Sequence, residues 1–428
     1  MHTTKLFIKA LLATAIAASM IACQAETAQM QPESPVEASS VPSAEFEVTE
    51  YSAAEFAALF EGIEAPVDTK CAAIRYEIAK LTYPSVTGTG APVTLSMKIA
   101  YPQGILTKYH DPDFIVLDNH PTIFSEAESP WSCNPIALAK AMDDALVVCP
   151  DYEGFGITSD RDHPYLAHDL NARQSVDAVL AAIDYINGKK GIKMAKGYYL
   201  MNYGYSQGGG VAMAVHKYIE NNLSKSDQAK INLRKSYCGG GPYDPAVTMH
   251  VYFEQDELEY PTLLPMVLMG FKAAYPDILA EFPLEGFFKP EFVATGIFDR
   301  IRSKQYKNDE LCEFIQDEYG SCRCSDILSP AVFDENSAMR QAMEACFARS
   351  NVATGWAPVK RVDLMHSKED QIVPVENAYS AYEGLQPGNV SEIEWALLSP
   401  QHVVAGVLYY IKYMGLNIIP GALDHFLN

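Results

Sequence analysis

Tyr198-Tyr199-Leu200-Met201-Asn202-Tyr203-Gly204-Tyr205-Ser206-Gln207-Gly208-Gly209-Gly210-Val211 is the stretch that decides the fold. Its first half, entered through Gly197, is a short apolar and aromatic run of the kind that forms a strand buried on both faces. Val211 to Ile219 continues as a helix. Between them stands Gly204-Tyr205-Ser206-Gln207-Gly208, a G-x-S-x-G pentapeptide. Alone that pattern is weak. Set between strand and helix, it is a sharp turn that lifts a Ser hydroxyl above a sheet. It also places a helix N-terminus behind the Ser, where free N–H groups and a partial positive charge suit a developing oxyanion. The competing reading, a phosphate-cradling turn, lacks the Lys-Ser/Thr pair of a P-loop.

Working outward, further short apolar runs predict strands at Phe114–Leu117, Ala145–Val148, Ile231–Tyr237, Arg361–Met365 and Ile393–Leu397. Helices are predicted over Asp169–Ile186, Pro374–Tyr382 and Val403–Met414. The alternation implies a mostly parallel central sheet flanked by helices, an α/β architecture. Residues 249–355 break the pattern. Tyr260-Pro261, Leu264-Pro265, Tyr275-Pro276, Phe282-Pro283 and Lys289-Pro290 punctuate a segment dense in aromatics. Lying between two sheet strands, it reads as a mainly helical cap inserted into a core of 67–248 and 356–428. A packed subdomain without a role in binding is the plainer alternative.

A Ser hydroxyl needs a base to take its proton. On a sheet of this kind the order along the chain is Ser, acid, His. Asp370 sits in the loop after Arg361–Met365, four residues before Pro374, with Glu369 as the competing acid. His402 opens a helix after the last strand; His425 is three residues from the end, a poor place for a base. Gln207, just after the Ser, is the first candidate oxyanion donor through its N–H. The second should come from Asp118-Asn119-His120-Pro121-Thr122. Pro121 has no N–H, so Thr122 is the candidate. Tyr205, Tyr152 and His120 are candidate substrate contacts; for Tyr152 a Gly-Phe-Gly turn with packed aromatics is an equal alternative.

The N-terminus has its own logic. Lys5 and Lys9 precede an apolar run from Ala10 to Ile21, which reads as a signal peptide over 1–22 and is too short to span a membrane. Ala22-Cys23 resembles a bacterial lipobox, with Met20 where Leu is usual; ordinary cleavage after Ala25 is the alternative. Residues 23–66 then read as a lipid-anchored flexible tether and lead-in. The expected place is an exported bacterial lipoprotein, in the periplasm or at the outer membrane or cell surface, held to membrane by the Cys23 anchor. Charge supports no nucleic-acid partner: 32 Lys+Arg against 54 Asp+Glu give a formal −22. The eight Cys after Cys23 form an even set, which in an exported chain suggests disulfides; Cys322-Arg-Cys324 as a metal pair lacks nearby His.

From about 90 to 415 the chain resembles the α/β-hydrolase superfamily, and within it the bacterial secretory lipase and esterase group with a large cap. The carrying pieces are Gly204-Tyr205-Ser206-Gln207-Gly208-Gly209, Pro150-Asp151-Tyr152-Glu153-Gly154-Phe155-Gly156, His163-Pro164-Tyr165, Gly240-Gly241-Pro242-Tyr243-Asp244 and the Asp370-to-Pro374 loop. The resemblance implies Ser206 as nucleophile, His402 as base then acid, and Asp370 as its orienting carboxylate. It implies a small-molecule or lipid ester as substrate, with no metal or organic cofactor. Relatives usually carry His-Gly where this chain has His120-Pro121, so the oxyanion loop departs from the pattern. A cap-type exopeptidase and a non-catalytic binding lipoprotein on the same fold stay open as alternatives.

Overall fold

The structure is a computed structural model and describes residues 44–60, 74–104, 112–189 and 192–415. The segment read as a signal peptide, Cys23, the stretch before Ala44 read as a tether, and Cys71 lie outside the described residues.

Nine strands form one sheet: β1 (Ala44–Ser52), β2 (Ile74–Val86), β3 (Pro92–Gly104), β4 (Phe114–Asn119), β5 (Ala145–Pro150), β6 (Tyr199–Tyr205), β7 (Leu233–Gly239), β8 (Arg361–His366) and β9 (Val390–Trp395). Their order is β1-β2-β3-β5-β4-β6-β7-β8-β9. The first three strands pair antiparallel with their neighbours, and everything from β5 to β9 is parallel. The strand β1 occupies a segment read from sequence as lead-in; it takes its place by pairing with β2 along Ala44–Ser52.

The central strands are apolar because both faces are covered. Ile115 and Leu117 of β4 enter the core beneath one set of helices, and Val116 between them enters the core on the opposite face. The strand β5 repeats this, with Leu146 and Val148 on one side and Ala145, Val147 and Cys149 on the other. Successive side chains of a strand point to opposite faces, so a continuous apolar run is what a two-sided burial demands. Each such Ile, Leu or Val side chain contributes on the order of 1.5–3 kcal/mol by leaving water.

Helix α1 (His168–Gly188) and helix α2 (Gln207–Asn221) pack on this sheet, through Val176, Val179 and Ile183 of the first and Val211 and Val215 of the second. The last strand begins three residues before its apolar run and ends two before it, at Val390–Trp395. Ala396 closes the pairing through its N–H to the His366 carbonyl, 2.8 Å. Leu398 and Ser399 then turn with φ of 65° and 45°, and Leu398 stands 93% exposed.

Between β7 and β8 the described chain holds helices and no strand. The segment opens with α3 (Pro245–Gln255), capped by Asp244, whose carboxylate accepts from the N–H groups of Ala246 and Val247. Then come α4 (Leu263–Ala274), several single turns, α5 (Asn308–Glu318) and α6 (Ala338–Ser350). These helices share one apolar cluster with Phe124, Tyr165, Leu166 and Val373 from the loops above the sheet. The insertion is therefore packed onto the strand ends where, in open α/β sheets, ligands bind.

Seven cysteines fall among the described residues, at 133, 149, 238, 312, 322, 324 and 346, and all are free thiols. The disulfides expected from the even set of eight are absent among these seven. Cys149 and Cys238 are built into strands and wholly buried, where a thiol serves as a small core side chain.

Candidate active site

Ser206 joins the end of β6 to the start of α2 with φ 58° and ψ −128°. A non-glycine residue there is strained, at a cost of about 1–3 kcal/mol. The surroundings enforce it. Ser206 donates its N–H to the Gly239 carbonyl of β7 at 3.0 Å, and its own carbonyl accepts from Gly209 and Gly210. The two flanking glycines are dictated by closeness. A Cβ on Gly204 would stand 1.9 Å from the Gly208 carbonyl oxygen, and one on Gly208 would stand 1.9 Å from that of Asn119. Only glycine at both ends lets strand, turn and helix approach this far.

Asp370 lies in the β8 loop, with its side chain shut off from solvent, whereas Glu369 is exposed. One carboxylate oxygen accepts from the N–H groups of Ile372 (3.0 Å) and Val373 (2.8 Å). The other lies 2.6 Å from His402 Nδ1. Burial pushes this carboxyl up, but His402, His366 and the Val373 N–H outweigh it and hold it below the ordinary carboxylate range. Nδ1 therefore carries the proton it donates to Asp370, and Nε2 is left with its lone pair. Nε2 is buried with no partner among the described residues. His402 begins α7 (His402–Met414). Ser206 and His402, 8% and 6% exposed, line one cavity of about 440 Å³.

Thr122 and Tyr205 line this cavity too. Gln207 is the first residue of α2, one of the positions whose N–H has no partner within a helix. Its side chain is pinned: Nε2 lies 2.7 Å from His163 Nε2, and His163 Nδ1 donates to the Glu153 carbonyl at 2.8 Å. Burial drives the His163 imidazole down to about 3, so the ring is neutral and its Nε2 accepts from Gln207. Thr122 Oγ1 is 2.8 Å from the Tyr165 hydroxyl. The Tyr205 hydroxyl donates to the His402 carbonyl at 2.7 Å, so this ring helps seat the His as well as walling the cavity.

His120 and Tyr152, expected against a substrate, sit elsewhere. Neither lines a cavity at Ser206. His120 is buried, with Nδ1 2.7 Å from the Pro121 carbonyl and Nε2 3.2 Å from that of Asp151. Tyr152 stacks beside it at 4.2 Å between ring centres and is fully buried. Both form packing beneath the loop, because the nearby carbonyls and aromatic rings capture them.

Three further buried titratable groups were given no role by the linear pattern. His366 Nε2 donates to the Val373 carbonyl at 2.9 Å and lies 3.6 Å from Asp370. Lys304 of the cap reaches down to the Gly154 and Arg161 carbonyls (2.8 and 3.0 Å), tying cap to core; burial lowers its ammonium to about 8. Asp118, at the end of β4, is buried with the Tyr410 hydroxyl 3.3 Å away. The partners of Lys304 and Asp118 are remote in sequence and meet only in the fold, whereas those of His366 lie within its own loop.

No protein-family model matches the sequence, and no curated protein does. Solved structures do match in three dimensions. The rice cell wall degrading esterase LipA from Xanthomonas oryzae is 21% identical, with 90% of this chain and 97% of that one covered and a TM-score of 0.66. A Legionella pneumophila structure named as a hydrolase is 19% identical over 90% of this chain and 97% of that one, TM-score 0.68. Lipase A of Candida antarctica is 15% identical over 77% of this chain and 73% of that one, TM-score 0.54. The sheet order, the turn at Ser206 and these likenesses give the chain the α/β-hydrolase fold.

Proposed function

We propose that the chain is a serine hydrolase of carboxylic esters, acting through an acyl-enzyme. The observation that carries this is the pairing of a strained Ser206 with His402 in one cavity, the His held by Asp370 at 2.6 Å. The matched esterase and lipase structures support the same chemistry.

In this reading His402 Nε2 takes the Ser206 proton as Oγ attacks the ester carbonyl carbon. The oxyanion is received by the Gln207 N–H and by Thr122, at the mouth of α2 where the helix dipole favours negative charge. His402 then passes the proton to the alcohol oxygen as the C–O bond breaks. Water repeats the sequence on the acyl-enzyme: His402 removes its proton, and Ser206 leaves with that proton restored. The ionised Asp370 keeps His402 in the needed tautomer and stabilises the imidazolium. No cofactor enters any step. The signal and lipobox reading of residues 1–23 supports export and anchoring of this activity at a membrane. No helix among the described residues is long and apolar enough to cross one.

The experiment is fluorophosphonate labelling of the folded chain beside Ser206→Ala and His402→Ala, with turnover of p-nitrophenyl acetate. Labelling and turnover confined to the parent chain are expected. A folded parent chain that neither labels nor turns over the ester would leave a binding protein on a hydrolase fold.

A further inference from the structure

Two cavities of very different size meet at Ser206. The larger, about 440 Å³, is lined by His402, Thr122, Tyr205 and, from the cap, Asn308 and Asp309. The smaller holds about 30 Å³ and is lined by Met249, Tyr252, Val267 and Val373. Leu263 and Ile372 line both and form the partition between them. His402 borders only the larger one.

That asymmetry assigns the two halves of an ester. The proton that releases the alcohol comes from His402 Nε2, so the alcohol oxygen must face His402 when the C–O bond breaks. The alcohol moiety then extends into the large cavity. The acyl chain, on the far side of the carbonyl carbon, has the small one. A water-sized group needs on the order of 10–15 Å³ of such space. The smaller cavity therefore takes about two such groups beyond the carbonyl. Met249, Tyr252 and Val267, which line it, are all buried in the packed cap cluster.

Resting on the serine-hydrolase reading, we infer that the chain selects short acyl groups, acetyl or propionyl, on bulky alcohols, and that Met249 and Val267 set the acyl limit. Both side chains stand on cap helices, α3 and α4, so the cap defines the acyl group that the core chemistry accepts.

The test uses isomeric esters with similar alkyl leaving groups, octyl acetate and ethyl octanoate. Octyl acetate should have the higher kcat/KM by about tenfold or more, since each misplaced methylene in a tight pocket costs roughly tenfold or more. Equal rates or a preference for ethyl octanoate would overturn the assignment. Met249→Ala and, as a second route if that variant misfolds, Val267→Ala should each raise the butanoate-to-acetate ratio of p-nitrophenyl esters several-fold. An unchanged ratio in a folded variant would remove these side chains as the limit. Fluorophosphonate labelling separates the two failures. A labelled chain that prefers octanoate loses only the acyl assignment. A folded chain that does not label loses the hydrolase reading and this inference with it.

Discussion

His402 Nδ1 lies 2.6 Å from one oxygen of Asp370, while the other oxygen of that carboxylate accepts two backbone N–H groups. The acid is thus fixed in place and in charge before any substrate arrives. Asp370→Asn preserves the shape but offers His402 an amide in place of an anion. We expect kcat to fall by about 10⁴ with little change in KM, as when a triad carboxylate is neutralised. Steady-state kinetics on a short ester checks this, and a loss below tenfold would move the orienting role elsewhere.

His366 approaches the same carboxylate oxygen as His402. Its Nε2–H is shared between the Val373 carbonyl at 2.9 Å and the neighbourhood of Asp370 at 3.6 Å. His366→Leu should lower kcat by about 10–100-fold through a misplaced Asp370, with KM nearly unmoved. A variant that loses only thermal stability, with kcat intact, would make His366 a packing residue.

Gly208 admits no side chain. A Cβ there meets the Asn119 carbonyl oxygen at 1.9 Å, backbone against backbone. Gly208→Ala should cost about 1–3 kcal/mol in thermal or denaturant unfolding and push the adjoining His120–Thr122 loop. Gly188, at the end of α1, has open space around the same position. Gly188→Ala is the control and should be neutral or gain up to about 1 kcal/mol.

Asp118 gives a pH signature. Burial raises its carboxyl to about 7, against the partial relief of the Tyr410 hydroxyl, whereas an unfolded Asp titrates near 4. Between those values the folded chain keeps a proton that the unfolded chain has released. Its contribution to stability is therefore full below about pH 4 and lost as pH rises through about 7. Asp118→Asn has no such dependence. The Tm of this variant relative to the parent should climb from pH 5 to pH 8, equivalent to a few kcal/mol at most. A difference that stays level across this range would show that the group does not titrate there.

The parts of this molecule legible in its sequence are those whose cause is local. The strand, the pentapeptide and the helix around Ser206 are adjacent in the chain, and each obeys its own short-range rule. Asp370 and His402 were reachable because chain order limits the choices, and the structure brings the two into contact. The strands β2 and β3 are harder to see, since Ser96 and Lys98 alternate with Leu95, Met97 and Ile99 as if facing water. In the fold both are buried, satisfied by Asp151 and by the Cys133 carbonyl. Nor does the linear order show that His120 and Tyr152, from two different loops, pack against each other. The cysteines were misread too, because an even count says nothing about which sulfurs are neighbours.

Ser206 carries a consequence beyond its chemistry. Its backbone, at φ 58° and ψ −128°, suits glycine and penalises serine. Ser206→Gly should therefore unfold at a higher temperature than the parent chain, by about 1–2 kcal/mol at the midpoint. A laboratory selection for heat tolerance alone would reward the loss of this hydroxyl. On the serine-hydrolase reading, the strain held at this turn is the stability that the chain gives up to present a nucleophile.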